Sequence, residues 1–239
     1  MTLGKWMARA LASALVLGAV SIAGAANLAI NFGADEPNGA GSTVDGPAGV
    51  FGTAVWNNTT GASGSAANLV DGGGAATAAS VEWTSPNTWS STGRGEENNT
   101  APVGEDRDLM TGYLDSNNSG QPSAIVTVSG LSDLFDAYNV LVYIKGGVNG
   151  RGGTYTIGSQ SLTHTDTAAF SGTYVPGAEG DYIVFENVTG NSFQLTSAAD
   201  SVGFRAPINA IEVTPIPEPA TWMLVLVGVG GAAIWTRRR

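Results

Sequence analysis

The sequence predicts an all-β fold, an antiparallel β-sandwich or jelly roll, flanked by an N-terminal signal helix and a C-terminal transmembrane helix. Between residues 27 and 214, short β-branched or aromatic segments recur between Gly, Asn, Asp and Pro residues, which favour turns. No segment of this region sustains a helical period. Apolar stretches of helical length lie at the two ends of the chain. The predicted division is therefore a signal peptide at 1–26, an exported domain at 27–214 and a C-terminal signal at 215–239.

The N-terminal segment has the layout of a secretory signal peptide. Lys5 and Arg9 precede an apolar run at 10–22, and Ala-Gly-Ala at 23–25 supplies small residues for cleavage. Cleavage after Ala25 or Ala26 would release the mature chain. The alternative is an uncleaved N-terminal anchor, which the shortness of the apolar run disfavours.

The first half of the exported region contains three predicted strands, at residues 28–32, 50–56 and 80–84. Between them, residues 61–80 consist mainly of Gly, Ala and Ser, a composition typical of flexible linkers. Trp56, Trp83 and Trp89 nevertheless give this half large side chains to bury. We expect it to form outer strands and long loops of the same sandwich, with Trp56 and Trp83 in the core. A separate N-terminal domain is the alternative.

The second half predicts a regular series of strands separated by turn residues. The segment at 138–145 contains the run YNVLVYI, whose length and composition are typical of a strand in a sandwich core. Gly146 and Gly147 then predict a turn. The full set of predicted strands in this half is 124–128, 138–145, 154–157, 161–164, 182–186, 193–196 and 208–213.

The C-terminal segment combines a short motif, an apolar stretch and a basic end. Residues 220–236 are 17 residues without a charge, which at helical rise span about 25 Å, the short end of what crosses a bilayer. The basic end resists translocation, so the domain before it lies outside the membrane. The motif and the basic cluster are Pro217, Glu218 and Pro219, and Arg237, Arg238 and Arg239.

The order of these three parts resembles the PEP-CTERM sorting signal of bacterial exported proteins. Residues 217–219 match the Pro-Glu-Pro motif residue by residue, and Ile216 stands where the family often has valine. The resemblance covers about a tenth of the chain. It implies recognition by an exosortase, a membrane transpeptidase that cleaves near the motif. An ordinary C-terminal anchor that is never processed is the alternative.

Charge and composition exclude several classes of function. Residues 27–214 carry five Lys and Arg residues against nineteen Asp and Glu residues, a net charge near −14. Such a surface repels nucleic acid and anionic lipid, so we expect no nucleic-acid partner. The chain contains no cysteine, which excludes disulfides, thiol catalysis and Cys-ligated zinc.

The sequence offers little to support catalysis. His164 is the one histidine, in the segment SLTHTDT with Asp166 two residues on. The spacing permits contact between the two side chains, but the alternating Ser and Thr predict a solvated strand face. Glu96, Glu97 and residues 105–108 supply carboxylates of the type that glycosidases use, yet a solvated acidic loop is the favoured interpretation. We therefore predict that the protein is not an enzyme.

Calcium is the cofactor for which the sequence offers ligands, because it binds carboxylate and carbonyl oxygens in loops. Two acidic segments, GADEPNG and GEDRDLM, contain candidates, and neither has EF-hand spacing. The candidate ligands are Asp35, Glu36 and Asn38, and Glu105, Asp106 and Asp108.

Sugar binding requires an aromatic face with polar groups around it. Trp89 stands among turn residues near Arg94 and is the tryptophan that we expect to be most exposed. Arg151, in GVNGRGG, could bind a hydroxyl or carboxylate group, as could Arg205. The alternative for each arginine is an ion pair with one of the many acidic residues.

The strand rhythm from residue 125 to residue 213 resembles the late strands of galactose-binding-like jelly rolls, without a diagnostic motif. This resemblance implies a sandwich that binds sugar in some members and is purely structural in others. Two functions follow as hypotheses. The first is a non-enzymatic surface or extracellular-matrix protein, sorted by an exosortase from the envelope membrane. The second is a carbohydrate-binding module acting on exopolysaccharide; an exported hydrolase is a distant third.

Overall fold

The computed structural model describes residues 26–33, 42–93, 96–116, 124–200 and 205–216. These residues form thirteen strands and one short helix. The elements are β1 (Leu28–Gly33), β2 (Asn57–Thr60), β3 (Ser63–Ala67), β4 (Ser80–Thr84), β5 (Asn87–Ser90), α1 (Glu105–Leu109), β6 (Gly112–Asp115), β7 (Ala124–Ser129), β8 (Ala137–Tyr143), β9 (Gly152–Ile157), β10 (Gln160–Thr165), β11 (Tyr182–Thr189), β12 (Ser192–Ala199) and β13 (Ala210–Pro215).

Two main sheets contain most of these strands. The five-stranded sheet has the order β11-β8-β13-β1-β2, and the six-stranded sheet has the order β10-β9-β12-β7-β4-β3. The strand pairs are antiparallel except for β1 and β2, which are parallel. β5 and β6 form a separate two-stranded sheet. The prediction of an all-β sandwich is confirmed for the described residues.

The main hydrophobic core lies between the two large sheets. Alternate residues of each strand face it, as the pleat of a strand requires. The five-stranded sheet contributes Ile30, Val140 and Ile211, and the six-stranded sheet contributes Val126 and Leu195, all with no exposed surface. Trp83 also packs in this core, edge to face with Phe32 at 6.1 Å between ring centroids, as the sequence predicts.

The outer face of the five-stranded sheet is also buried. Leu141 and Tyr143 of β8 point away from the main core into a second apolar cluster. Residues from the irregular first half cover them, among them Trp56, which is 6% exposed, and Leu109 of α1. Burial on both faces explains why β8 reads as a continuous apolar run instead of an alternating one.

The Gly, Ala and Ser run at 61–80 forms ordered structure rather than a linker. β3 pairs with β4, and Gly64 lies opposite Trp83 in the register. A Cβ atom on Gly64 would lie 2.5 Å from the Trp83 ring, so the indole requires a residue without a side chain there. The small residues of β3 therefore serve the packing of Trp83.

The predicted strand at 50–56 is wrong. Residues 49–52 form a turn with a hydrogen bond from Gly52 N to Gly49 O at 3.1 Å, and Thr53 after it forms an isolated bridge with Ala48. Both glycines have positive φ, 81° and 59°, a conformation that interrupts a strand. Phe51, at the tip, is 56% exposed. The apolar pattern that predicted a strand belongs here to a turn lying against the outer face of the sheet.

The predicted signal helix at 1–26 and transmembrane helix at 220–236 lie outside the described residues, apart from Ala26. Within the part of the chain that the structure describes, no helix has the length and apolarity needed to cross a membrane.

Candidate functional site

The aromatic residue proposed for sugar contact is partly covered. Trp89 lies on β5 and is half-buried. The guanidinium carbon of Arg205 sits 5.2 Å from the centre of its ring, a cation–π arrangement. Arg205 Nη1 donates to Asp115 Oδ2 at 2.6 Å, on the adjacent strand β6. Burial raises the pKa of Asp115, and Arg205 opposes that rise. Arg205 thus occupies one face of the indole. Arg94 lies outside the described residues.

The second candidate for sugar contact, Arg151, is buried, with 7% of its surface exposed. Its Nη2 atom pairs with Glu96 Oε2 at 2.9 Å, and its Nη1 atom donates to the Tyr113 hydroxyl at 3.1 Å. Arg151 therefore forms the ion pair with an acidic residue that the sequence offered as the alternative to sugar binding. These bonds occupy the two terminal nitrogens of the Arg151 guanidinium group.

The candidate calcium ligands divide into two groups. Asp35, Glu36 and Asn38 lie outside the described residues. Glu105 and Asp106 begin α1, where their carboxylates accept backbone N–H bonds from Asp45, Gly46 and Gly49 at 2.6 to 3.1 Å.

Asp108 follows on the same helix, and burial followed by the charge of Glu105 raises its pKa. Within the described ranges, no three acidic or histidine side chains are grouped so that they could hold a metal ion. The carboxylates of Glu105 and Asp106 instead connect α1 to the backbone of residues 45–49.

The prediction that His164 lies on a solvated strand face is wrong. His164 has no exposed surface, its Nε2 atom lies 3.0 Å from Gly180 O, and its ring packs edge to face with Tyr155 at 6.4 Å. Burial lowers its pKa, which favours the neutral imidazole. The alternating Thr residues of β10 do point outward. The segment that contains Gly180 covers the His164 side chain. The residue pattern of β10 alone does not show that a distant segment packs over this strand.

A buried ionic cluster, formed by Lys145, Asp166 and Asp181, lies beside His164. Lys145 is 1% exposed, and its Nζ atom is 2.9 Å from an oxygen of each carboxylate. It also donates to Ala168 O at 2.8 Å. Sequence reasoning missed this cluster because its members are separated by loops. The one available signal is a lysine at the end of an otherwise apolar strand, where a charge requires a partner.

A shallow polar groove lies at the other end of β9 and β10. It has a volume of about 600 Å³ and opens between the β9–β10 turn and the β11–β12 turn. Its lining is rich in amide and hydroxyl groups and contains no charged residue. Trp89 and Arg151 do not line it. The lining residues with side-chain amides or hydroxyls are Thr156, Ser159, Gln160, Asn187, Thr189, Ser192, Gln194 and Thr196.

Comparison with known proteins assigns the C-terminal segment. Residues 215–239 match the family described as the PEP-CTERM protein-sorting motif, which confirms the resemblance seen in the sequence. The chain therefore has the signal of an exported protein that is sorted through its C-terminus. The particular signal is PEP-CTERM, which implies anchoring in the membrane and processing by an exosortase.

The remaining comparisons add little for the domain. No curated protein matches this sequence. A crystal structure of protein YXIM from Bacillus subtilis is similar at 10% sequence identity with a TM-score of 0.39. The match covers 80% of this chain and 40% of that one, so this chain corresponds to less than half of the length of that protein.

Proposed function

We propose that this chain is a non-enzymatic protein of the bacterial surface or extracellular matrix. The observation that carries the proposal is the PEP-CTERM motif at residues 215–239. In this proposal the C-terminal helix holds the chain in the envelope membrane with its domain outside. The exosortase then cleaves near residues 217–219 and releases the domain to the surface or matrix.

The chemistry of the domain supports a structural role. Three of its basic side chains, those of Lys145, Arg151 and Arg205, are engaged in ion pairs that are at least partly buried. His164 is buried and faces a backbone carbonyl group, so it is not presented to a substrate. The outward-facing residues of β10 are polar and uncharged, as a solvated surface requires.

The test is mass spectrometry of the C-terminus in cells that contain an exosortase. We expect the mature protein to end near residue 217, and the Glu218→Ala variant to retain residues 220–239. Glu179→Ala, at an exposed site, is the matched control and is expected to be processed normally. Recovery of wild-type protein ending at Arg239 from these cells would contradict processing.

Carbohydrate binding is the second candidate function, and the polar groove favours it. Its volume of about 600 Å³ lies within the usual range of ligand sites. Amides and hydroxyls are the groups that bind sugar hydroxyls without requiring a charged ligand. Phe193 is the one aromatic residue in the lining, and it is only 5% exposed, so stacking contributes little. We therefore expect weak binding to neutral exopolysaccharide.

A glycan array with purified residues 27–216 tests this candidate. Asn187→Ala and Gln194→Ala are expected to abolish retention, because both side chains are exposed in the groove. Thr60→Ala, exposed on β2, is the matched control. Trp89→Ala tests the alternative site at Trp89 on β5, which the sequence favours. Loss of binding in this variant alone would place the sugar site at β5 and not in the groove. Absence of retention on any glycan would leave the structural role.

A further inference from the structure

We propose that Lys145 and Asp166 condense to form an amide bond that ties the two large sheets together, with Asp181 carrying the proton. Lys145 follows β8 of the five-stranded sheet, and Asp166 follows β10 at the edge of the six-stranded sheet. The Lys145 Nζ atom lies 2.9 Å from Asp166 Oδ1, so nucleophile and acceptor are already in contact.

The surrounding residues hold the Asp166 carboxyl group in position as the electrophile that the Lys145 amine attacks. Its Oδ1 atom faces Lys145, while its Oδ2 atom accepts a hydrogen bond from the Asn98 side-chain amide. The backbone N–H of Gly146 also donates to this carboxyl group. The Asn98 donor on Oδ2 stabilises the negative charge that develops on that oxygen when an amine attacks the carbon. Burial raises the pKa of Asp166, which favours the carboxylic acid that the reaction consumes.

Asp181 is placed to carry the proton. Its Oδ1 atom lies 2.9 Å from the same Nζ atom, and its Oδ2 atom is held by the Val175 N–H at 2.8 Å. The Asp181 carboxylate removes one proton from the Lys145 ammonium, and the neutral amine then attacks Cγ of Asp166. A C–N bond forms, the C–Oδ1 bond breaks, and the oxygen leaves as water. Asp181 passes a proton to the leaving oxygen and takes one from the nitrogen, so it ends protonated.

This step balances without an oxidant or cofactor. One ammonium, one carboxylic acid and one carboxylate become one amide, one water and one carboxylic acid. The reaction removes both charges from a site where Lys145 is 1% exposed and Asp166 is also 1% exposed. Because buried charges are costly and little water reaches the site, the neutral amide is favoured over its hydrolysis. The chain has no cysteine, so an amide is a covalent tie that this exported domain can form without disulfides.

The test is tryptic peptide mapping of the full-length protein, denatured after isolation from cells. Trypsin does not cleave after an acylated lysine, so peptide 108–151 should remain intact and be joined to peptide 152–205. The expected mass is one water below the sum of these two peptides. Recovery of peptides 108–145 and 146–151, with no joined species, overturns the proposal. This measurement uses the wild-type protein and does not depend on the folding of any variant.

Variants test the assigned roles. Asp181→Asn keeps an oxygen near Lys145 but cannot carry the proton, so cleavage after residue 145 should become complete. Asp166→Asn should still react, with ammonia leaving, and yield a joined species of the wild-type mass. Asp133→Asn, at an exposed site, is the matched control and should remain fully joined. A joined species in Asp181→Asn, or fragment ions that place the bond on Asp181, would overturn the assigned mechanism.

Discussion

The replacement Glu212→Gln tests how the outer face of the five-stranded sheet holds a carboxyl group with no exposed surface. Glu212 Oε1 accepts from Asn27 Nδ2 at 2.9 Å and from the Thr53 hydroxyl, and Oε2 accepts from the Tyr143 hydroxyl at 2.6 Å. Burial raises the pKa of Glu212 above its ordinary value of 4.5, against the opposing effect of these three hydrogen bonds. No cation is among these partners.

The sign of the effect follows from proton binding. Between the ordinary pKa and the raised pKa, the folded protein holds one proton that the unfolded protein has released. The free energy of unfolding therefore falls as pH rises through this interval, by up to about 1.4 kcal/mol per pH unit for one proton. Glutamine does not titrate, so the variant lacks this contribution. With a urea dependence of roughly 1–3 kcal/mol per molar, the relative shift is roughly 0.5–1.4 M in midpoint per pH unit.

The assay is urea unfolding of wild-type and Glu212→Gln protein, residues 27–216, at a series of pH values from 4 upward. The other acidic residues whose carboxyl pKa values are raised, Asp108, Asp115 and Asp166, are the same in both proteins, so their contributions cancel in the difference. As pH rises above 4.5, we expect the free energy of unfolding of the variant to increase relative to that of the wild type. A constant difference, or one that moves in favour of the wild type, would refute the reasoning.

Three further substitutions test the packing of the sandwich, each by chemical denaturation. Gly153→Ala places a Cβ atom 2.1 Å from Ala198 O on β12 and should lower the free energy of unfolding by about 1–3 kcal/mol or more. Ser159→Ala, in the exposed β9–β10 turn, is the control and should leave the free energy of unfolding unchanged. Equal stability of these two variants would contradict the close approach of β9 and β12. Tyr155→Phe removes the donor to Pro207 O at 2.8 Å and should cost about 1–3 kcal/mol, so an unchanged midpoint would mean that this carbonyl has another donor. Leu141→Ala should cost about 2–5 kcal/mol because its outward-facing side chain is 3% exposed, while Phe51→Ala should change stability by less than about 0.5 kcal/mol. A loss of free energy of unfolding well below this range in Leu141→Ala would show that the outer cluster is loosely packed.

The strands of the second half lie closest to the positions that the sequence predicts. β7, β8 and β12 lie where the short β-branched and aromatic segments predict them, because those side chains suit a pleated, buried surface. β2, β3, β5, β6 and α1 were not predicted. The side chains of β2 and β3 are small or polar, and α1 is only five residues long, too short to show a helical period.

The site residues show the same division between local and distant information. Trp56 and Trp83 are buried as predicted, since their local segments indicate the core. Lys145 and Arg151 are buried for a reason that no local pattern contains: their partners are Asp166 and Asp181, and Glu96. These ion pairs join residues that are far apart in the sequence, so only the folded chain shows which acidic residue pairs with which basic residue.

The sequence alone predicts that this protein is exported with a C-terminal sorting signal and that its fold is all-β. Both are encoded in contiguous segments: the motif at 215–239 is read as a linear signal, and strands follow from a pattern of period two. The tertiary structure decided which charged groups are buried together and which surface remains open. Lys145 and its two aspartates come from separate loops, so their contact exists only once the two sheets have packed.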